Sequence, residues 1–172
     1  MTPRRALYGC ELFAIGIWEV LFILLRIGMT KADWTWSDRL SLKHDLMDET
    51  HQEFVALCAA LSLDEPATFL SRLDALIEHS IEHFAQEDAW MRDNSFPPAG
   101  CHQGEHDAVL QVMQEVKRRY AAGEHDLGTS LAEELPLWFE HHVATMDNML
   151  AQFLISNEIS VSKLPDEKIE LV

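Results

Sequence analysis

Histidine and carboxylate side chains recur along the chain at a spacing suited to binding metal. His83 and Glu87 are four residues apart, and His102 and His106 repeat the same interval. Residues four apart lie on the same side of an α-helix, so each pair presents two side chains together. Imidazole nitrogen and carboxylate oxygen are common ligands of transition metals. Two neighbouring helices that each carry such a pair therefore indicate a candidate metal site.

Three further residues extend this pattern. His142 and Asp147 are five residues apart, or about 140° around an ideal helix, which suits two ligands that reach different parts of a two-metal cluster. His51 offers an imidazole from an earlier segment. A buried, unpaired imidazole or carboxylate is strongly destabilising, so convergence of these groups in one core indicates a bound cation. The candidate metal ligands are His51, His83, Glu87, His102, His106, His142 and Asp147.

The ligand types narrow the choice of metal. No cysteine lies at ligand spacing, which excludes a structural zinc–thiolate site, and zinc needs only four ligands. Imidazoles combined with bridging carboxylates suit a pair of iron ions that favour octahedral geometry. The chain contains neither His-Glu-x-x-His nor Glu-x-x-His, so zincin and ferritin-type sites are not expected.

Apolar residues recur at intervals of three and four, which predicts four helices. Asp48 is predicted to cap the first helix, and Asp64 the second, with Pro66 in its first turn. The fourth helix is predicted to begin near Thr129 or Ser130. No alternating strand pattern competes with these assignments.

The helices are connected by short segments, which make neighbouring helices antiparallel. The stretch NSFPPAG, residues 94–100, is predicted to break the chain between the second and third helices. The sequence therefore predicts an all-α protein, an up-down antiparallel four-helix bundle over residues 29–156. Residues 157–172 are predicted to form a polar tail.

The first 28 residues have a different composition and form an apolar N-terminal extension. Two early arginines followed by an apolar run suggest a signal peptide or a membrane anchor through residues 6–28. Three charged residues interrupt the run, and each costs roughly 2.5–3.5 kcal/mol at the centre of a bilayer. Met29 begins a polar segment that suits the start of a soluble protein. The extension is thus an anchor, a mis-assigned start or a segment packed on the bundle.

The overall charge excludes one class of partner. The 172-residue chain has 13 Lys and Arg against 29 Asp and Glu, a formal net charge of −16. Such a surface repels phosphate backbones, so a nucleic-acid partner is not expected. Three cysteines at irregular positions argue against a disulfide framework and favour a reducing compartment. A cytoplasmic location is expected unless the first 28 residues form an anchor.

Over residues 36–155 the sequence resembles the bacterial hemerythrins, proteins with a di-iron centre of the HHE type. The spacing within HFAQED and CHQGEH and between them is specific, whereas DETH is a weak motif by itself. The matching motifs, in order, are Trp36, DETH with His51, HFAQED with His83 and Glu87, CHQGEH with His102 and His106, and WFEHHVATMD with Trp138, His142 and Asp147.

The resemblance implies two non-haem iron ions with separate sets of histidine ligands. It implies that His102, His106 and His142 bind one iron. It implies that His51 and His83 bind the other. One iron keeps an open position, where the family binds O₂ reversibly.

The resemblance also implies that Glu87 and Asp147 bridge the two irons, together with a solvent-derived oxo or hydroxo group. Trp138 and Met146 are then candidates for an apolar wall around the O₂ pocket. His79 lies one turn before a predicted ligand and is a candidate hydrogen-bond partner for it.

Three functions follow from such a centre. The first is reversible O₂ binding without catalysis, by a carrier, a store or a sensor. The second is an enzyme that reduces peroxide or NO, which would need a route for electrons that no motif shows. The third is a protein that sequesters or delivers iron. The sequence does not indicate an oligomeric state.

The connection between the second and third helices carries a geometric expectation. In a symmetric hairpin centred near Pro97, His83 would lie opposite about residue 112 and not opposite His102. For both histidines to reach one site, residues 95–101 are predicted to run back along the bundle as an extended segment. The Pro97-Pro98 pair favours this conformation.

Overall fold

The structure is a computed structural model, and it describes residues 34–61 and 66–164. The apolar extension over residues 1–28 and the predicted helix cap at Asp64 lie outside these ranges. Among the described residues, no helix is both long enough and apolar enough to cross a membrane.

The described residues form helices and no strands, which confirms the predicted all-α bundle. The helices of the bundle are α1 (Asp45–Leu61), α2 (Pro66–Asp93), α3 (Ala99–Ala121), α4 (Asp126–His142), the π turn (Val143–Asp147) and α5 (Asn148–Ser156). The fourth rod of the bundle runs from α4 through the π turn into α5. α1 contacts α2 and α4, and α3 contacts the same two helices.

Two helices begin earlier than the sequence predicts. α1 starts at Asp45 because Asp48 is not its cap. The carboxylate of Asp48 instead accepts hydrogen bonds from the Ser41 hydroxyl at 2.6 Å and the Leu42 amide at 2.7 Å, which fixes the preceding loop. α4 starts at Asp126, before the predicted Thr129 or Ser130.

The predicted extended return between α2 and α3 is wrong. α2 ends in a Schellman motif, in which the Phe96 amide donates to the Met91 carbonyl at 2.9 Å and the Ser95 amide donates to the Arg92 carbonyl at 3.2 Å. Ser95 takes the left-handed conformation that this motif requires, with φ of 53°. α3 then begins at Ala99, so the connection is a compact turn.

The two histidines nevertheless reach the same site, because one carboxylate spans the offset between them. His83 Nε2 lies 3.2 Å from Oε1 of Glu87, and His102 Nε2 lies 3.3 Å from its Oε2. In a symmetric hairpin the backbone positions of His83 and His102 are offset along the bundle, and the side chain of Glu87 is long enough to contact both.

The start of the predicted polar tail is part of the folded structure. Helix α5 ends at Ser156, as expected, but residues 157–164 run back along α2. The Trp90 indole donates to the Ser162 carbonyl at 3.0 Å, and the Leu164 amide donates to Oε1 of Gln86 at 3.0 Å. These two bonds hold the segment against the helix that carries two candidate ligands.

Candidate metal centre

All four helical rods of the bundle contribute to one buried layer of polar side chains. α1 supplies one histidine, α2 a histidine and a glutamate, α3 two histidines, and the fourth rod a histidine and an aspartate. None of these residues is more than 4% exposed. The structure therefore brings together every residue proposed as a ligand: His51, His83, Glu87, His102, His106, His142 and Asp147.

Three imidazoles converge at one side of the layer, and we call His102, His106 and His142 the three-histidine half. Nε2 of His142 lies 3.1 Å from Nε2 of His102 and 3.2 Å from Nε2 of His106. Two ligand atoms about 2.1 Å from one ion are about 3.0 Å apart at right angles and about 3.4 Å apart at the tetrahedral angle. The observed separations fall in this range, so one ion fits between the three nitrogens.

His51 and His83 form a second group, which we call the two-histidine half. Their ring centroids are 5.1 Å apart. Nε2 of His83 faces Oε1 of Glu87 at 3.2 Å, and Nε2 of His51 faces Oδ2 of Asp147 at 3.3 Å. Both nitrogens therefore point at the carboxylates that separate them from the other three imidazoles.

Each carboxylate divides its two oxygens between the halves. Glu87 presents Oε1 to His83 and Oε2 to His102, while Asp147 presents Oδ2 to His51 and Oδ1 to His102 at 3.0 Å. A carboxylate that faces both ways is suited to bridging two ions. In the three-histidine half five donor atoms lie within 4.8 Å of one another, and in the two-histidine half three do, from His51, His83 and Glu87. Oδ2 of Asp147, 3.3 Å from Nε2 of His51, lies beside this second group.

The π turn, Val143–Asp147, explains how His142 and Asp147 act together. On an ideal helix residues five apart diverge by about 140°. A π-helical turn hydrogen-bonds from residue i to i+5 and so aligns residues at that spacing. Here Nε2 of His142 and Oδ1 of Asp147 lie 3.1 Å apart. The five-residue interval is thus a chelating interval in this structure.

Two carboxylates outside the layer orient the three-histidine half, and the sequence analysis missed both. Nδ1 of His142 lies 2.8 Å from Oε2 of Glu105, and Nδ1 of His106 lies 3.3 Å from Oδ1 of Asp88. With these Nδ1 atoms donating, Nε2 of each ring carries a lone pair. The sequence marks these two acids only by their places next to predicted ligands: Asp88 follows Glu87, and Glu105 precedes His106.

The geometry of the buried polar atoms by itself fits a bound cation. Nε2 of His106 and Nε2 of His142 face each other at 3.2 Å, and their lone pairs repel unless a proton or a metal ion lies between them. Both oxygens of Asp147, Oε2 of Glu87 and Nε2 of His51 are buried without a hydrogen-bond partner. Buried polar atoms are nearly always paired in native proteins. Metal ions at the centre of the layer would satisfy these atoms together.

The electrostatics of the layer show what protons do there without metal. Burial lowers the pKa of His51, but the close carboxylates of Asp147 and Glu87 outweigh this effect and raise the pKa to about 9. The same balance raises the pKa of His102 to about 10. Burial raises the pKa of each carboxylate, yet the surrounding imidazoles hold both well below their usual range. Metal ions bound here would therefore take the place of the imidazole protons that balance the charge of the two carboxylates.

Aromatic rings surround the two halves differently. Trp138 stacks on His142, with ring centroids 4.7 Å apart and an interplanar angle of 20°, and is half-buried. Phe139 instead meets His51 edge-on at 5.3 Å and stacks on Phe54 at 4.3 Å, and both phenylalanines are fully buried. The sequence analysis proposed Trp138 but missed Phe54 and Phe139, although each lies three residues from a candidate ligand.

Two other proposed residues lie at the edge of the site. Met146 is half-buried in the π turn, which gives the inward position to Asp147. His79 is outside the ligand groups, but its ring lies 5.8 Å from that of His83. Its side chain is 14% exposed, with Nδ1 3.6 Å from Oε2 of Glu53.

The fold and the layer together define the class: a helical-bundle metal protein whose site consists of imidazoles and carboxylates. The family model for the hemerythrin HHE cation binding domain matches residues 42–154. The chain belongs to the hemerythrin family.

Relatives named bacteriohemerythrin support this assignment. The one from Ralstonia nicotianae is 45% identical over 119 residues, which cover 69% of this chain and 87% of the relative. The one from Stenotrophomonas maltophilia is 25% identical over 122 residues, covering 67% of this chain and 78% of the relative. The one from Pseudomonas aeruginosa is 26% identical over 143 residues, covering 81% and 91% respectively. No solved structure matches the chain.

Proposed function

We propose that this protein binds O₂ reversibly at a non-haem di-iron centre formed by the seven buried ligands. The observation that carries the proposal is the unequal division of donors: five residues converge in the three-histidine half and three in the two-histidine half, with an oxygen of Asp147 beside His51. Iron ions favour six ligands, so the three-histidine half would have little room for a further ligand. The two-histidine half, with fewer protein donors, would have room for a small ligand such as O₂.

Iron is the metal that the donor set favours. Five imidazoles and two carboxylates, with no thiolate among them, suit ions of intermediate softness. Two iron ions would supply the electrons that O₂ accepts on binding and returns on release. Glu87 and Asp147, whose oxygens face both halves, would help to hold both ions.

The chain's own residues protect the open position. Phe54 and Phe139 are both fully buried, and Phe139 lies against His51 in the two-histidine half. These rings exclude water, which slows the loss of reduced oxygen species from the pocket and so favours reversible binding over turnover. Trp138 covers His142 on the other half. In this proposal Trp138 and Met146, the neighbour of Asp147 in the chain, shield the three-histidine half from solvent.

The test is an optical oxygenation cycle on the full chain. Metal-free protein is loaded anaerobically with Fe(II), and the number of irons per chain is measured. O₂ is then added, the visible spectrum is recorded, and the sample is purged with argon. We expect two irons per chain and a visible charge-transfer band that appears with O₂ and disappears on purging. A band that never forms, or one that cannot be reversed, would overturn the proposal.

Control variants make the result specific to the site. His102→Ala removes a histidine that contacts both carboxylates, and we expect it to abolish loading of two irons. His141→Ala removes the exposed neighbour of a ligand and should leave the cycle unchanged. Rapid consumption of peroxide or NO would instead indicate an enzyme. Ready transfer of iron to a weak chelator would indicate a delivery protein.

A further inference from the structure

The inference concerns His83 and the atom on the far side of its ring. A histidine that binds metal through Nε2 carries its proton on Nδ1, and that proton normally has an acceptor outside the ligand set. His106 and His142 have carboxylates in this role, Asp88 and Glu105. Nδ1 of His83 is buried and has no hydrogen-bond partner, and the same holds for Nδ1 of His51 and His102; of the three, His83 has another unpaired imidazole one turn away on its own helix. A buried donor of this kind is destabilising unless something accepts its proton.

A second unpaired imidazole nitrogen lies one turn away on the same helix. Nε2 of His79 is also buried without a partner. The two rings are 5.8 Å apart between centroids and inclined by 61°. That separation suits a direct contact after a small side-chain rotation, or one bridging water molecule.

The other nitrogen of His79 fixes which atom carries the proton. His79 hydrogen-bonds to the backbone of Thr50. Since Nε2 has no partner, the bond comes from Nδ1, which also lies 3.6 Å from the Glu53 carboxylate. With the proton on Nδ1, Nε2 of His79 carries a lone pair and is an acceptor.

We infer that His79 is a positioning residue for the two-histidine half, with its Nε2 accepting the proton of His83 Nδ1. The inference rests on the proposed function, since it assumes that His83 binds metal through Nε2. The result is a chain of contacts from the exposed carboxylate of Glu53, through His79 and His83, to the metal with the open position. A hydrogen bond of this kind fixes the orientation of the ligand ring.

The outer partners of the ligand histidines then differ in type. His106 and His142 face carboxylates, which make their imidazoles more basic ligands, whereas Nδ1 of His102 has no partner. In the two-histidine half the proposed partner of His83 is an imidazole. His83 is therefore a less electron-rich ligand than His106 or His142.

The first test measures the affinity of each half for metal. Metal-free full-length wild type, His79→Leu and His79→Gln are titrated anaerobically with Fe(II) by calorimetry, with His141→Leu as an exposed-histidine control. We expect His79→Leu to weaken binding of the second iron by about 10- to 100-fold and to leave the first unchanged. His79→Gln should stay within about threefold of wild type, because its amide oxygen accepts the same proton. His141→Leu should behave as wild type.

The second test observes the hydrogen bond itself in protein loaded with Zn(II), which permits NMR. We expect the imidazole N–H of His83 to give a signal that exchanges slowly with water in wild type and rapidly in His79→Leu. Absence of a protected His83 signal in wild type would overturn the inference even if the variants do not fold.

The outcomes separate the two proposals. A wild type that binds fewer than two irons would contradict the di-iron proposal, and the inference with it. A wild type with two irons, combined with unchanged second-site affinity in His79→Leu, would overturn the inference alone. Equal losses in His79→Leu and His79→Gln would also overturn it, since they would show a packing role and not a hydrogen bond.

Discussion

Replacing Glu87 with glutamine should convert a two-iron protein into a one-iron protein. Glu87 lies within 3.8 Å of four imidazoles, with Oε1 facing His51 and His83 and Oε2 facing His102 and His106. Glutamine keeps the size of the side chain but has one oxygen, so it cannot bridge, and it removes one negative charge from a buried cationic cluster. The remaining amide oxygen can serve only one half, so the other half would lose a donor.

The size of the loss follows from the burial of that charge. Glu87 is 1% exposed, and removing one partner from a buried ionic arrangement costs about 3–5 kcal/mol. At about 1.4 kcal/mol for each factor of ten, the second iron should bind roughly 10²- to 10⁴-fold more weakly. The first iron should be affected less, because the three imidazoles of its half remain together.

Anaerobic titration with Fe(II), followed by analysis of bound metal after dialysis, measures both constants. Glu82→Gln is the matched control, because it makes the same change at an exposed position of α2. Glu87→Asp keeps the charge but shortens the reach, and so separates the two contributions. Circular dichroism of the metal-free variants establishes that each is folded. The reasoning is refuted if Glu87→Gln binds two irons with affinities within about threefold of wild type.

Three further predictions concern the surroundings of the centre. In metal-free protein, the pKa values of His51 and His102 are raised to about 9 and 10. Their contribution to the free energy of unfolding is therefore complete below about pH 6.5, the usual pKa of histidine, and is lost as the pH rises through 9 to 10. The urea midpoint of protein kept metal-free with a chelator should fall over this interval, and a flat profile would contradict the assignment. Phe139→Ala should lower the free energy of unfolding by about 3–5 kcal/mol and speed the oxidation of bound Fe(II) in air, whereas an unchanged oxidation rate would show that this ring does not exclude water. Glu105→Leu removes the acceptor of the His142 Nδ1 proton and should weaken binding of the first iron by about 10- to 100-fold in chelator competition. Glu115→Leu, an exposed change on the same helix, should have no effect; equal affinities in the two variants would remove Glu105 from its orienting role.

Local spacing made the fold and the candidate ligands predictable. His83 with Glu87, and His102 with His106, share a helix face because residues four apart always do. That property does not depend on how the helices pack. The surrounding acids could not be predicted in the same way. In a chain with 29 acidic residues, nothing local distinguishes Asp88 or Glu105 from acids that face solvent.

Other features depend on contacts between distant parts of the chain. The expected extended return failed because a backbone estimate ignored how far the Glu87 side chain reaches. Phe139 was not identified as a neighbour of His51 because the two belong to different helices that meet only after packing. The π turn was not predicted, since α-helical spacing placed Met146 on the inner stripe, where the structure puts Asp147.

The length of the π turn determines which residues of α5 face the core. Beyond Asp147 the buried residues include Leu150, Ala151 and Leu154, while Met149 and Ile155 are exposed. Removing one residue from 143–147 would rotate everything downstream by about 100° relative to α4. That rotation would carry Asp147 out of the centre and turn the apolar stripe away from the core. Deleting one residue from this short stretch should therefore disrupt the site and the packing beyond it together, whereas a surface loop would tolerate the same change.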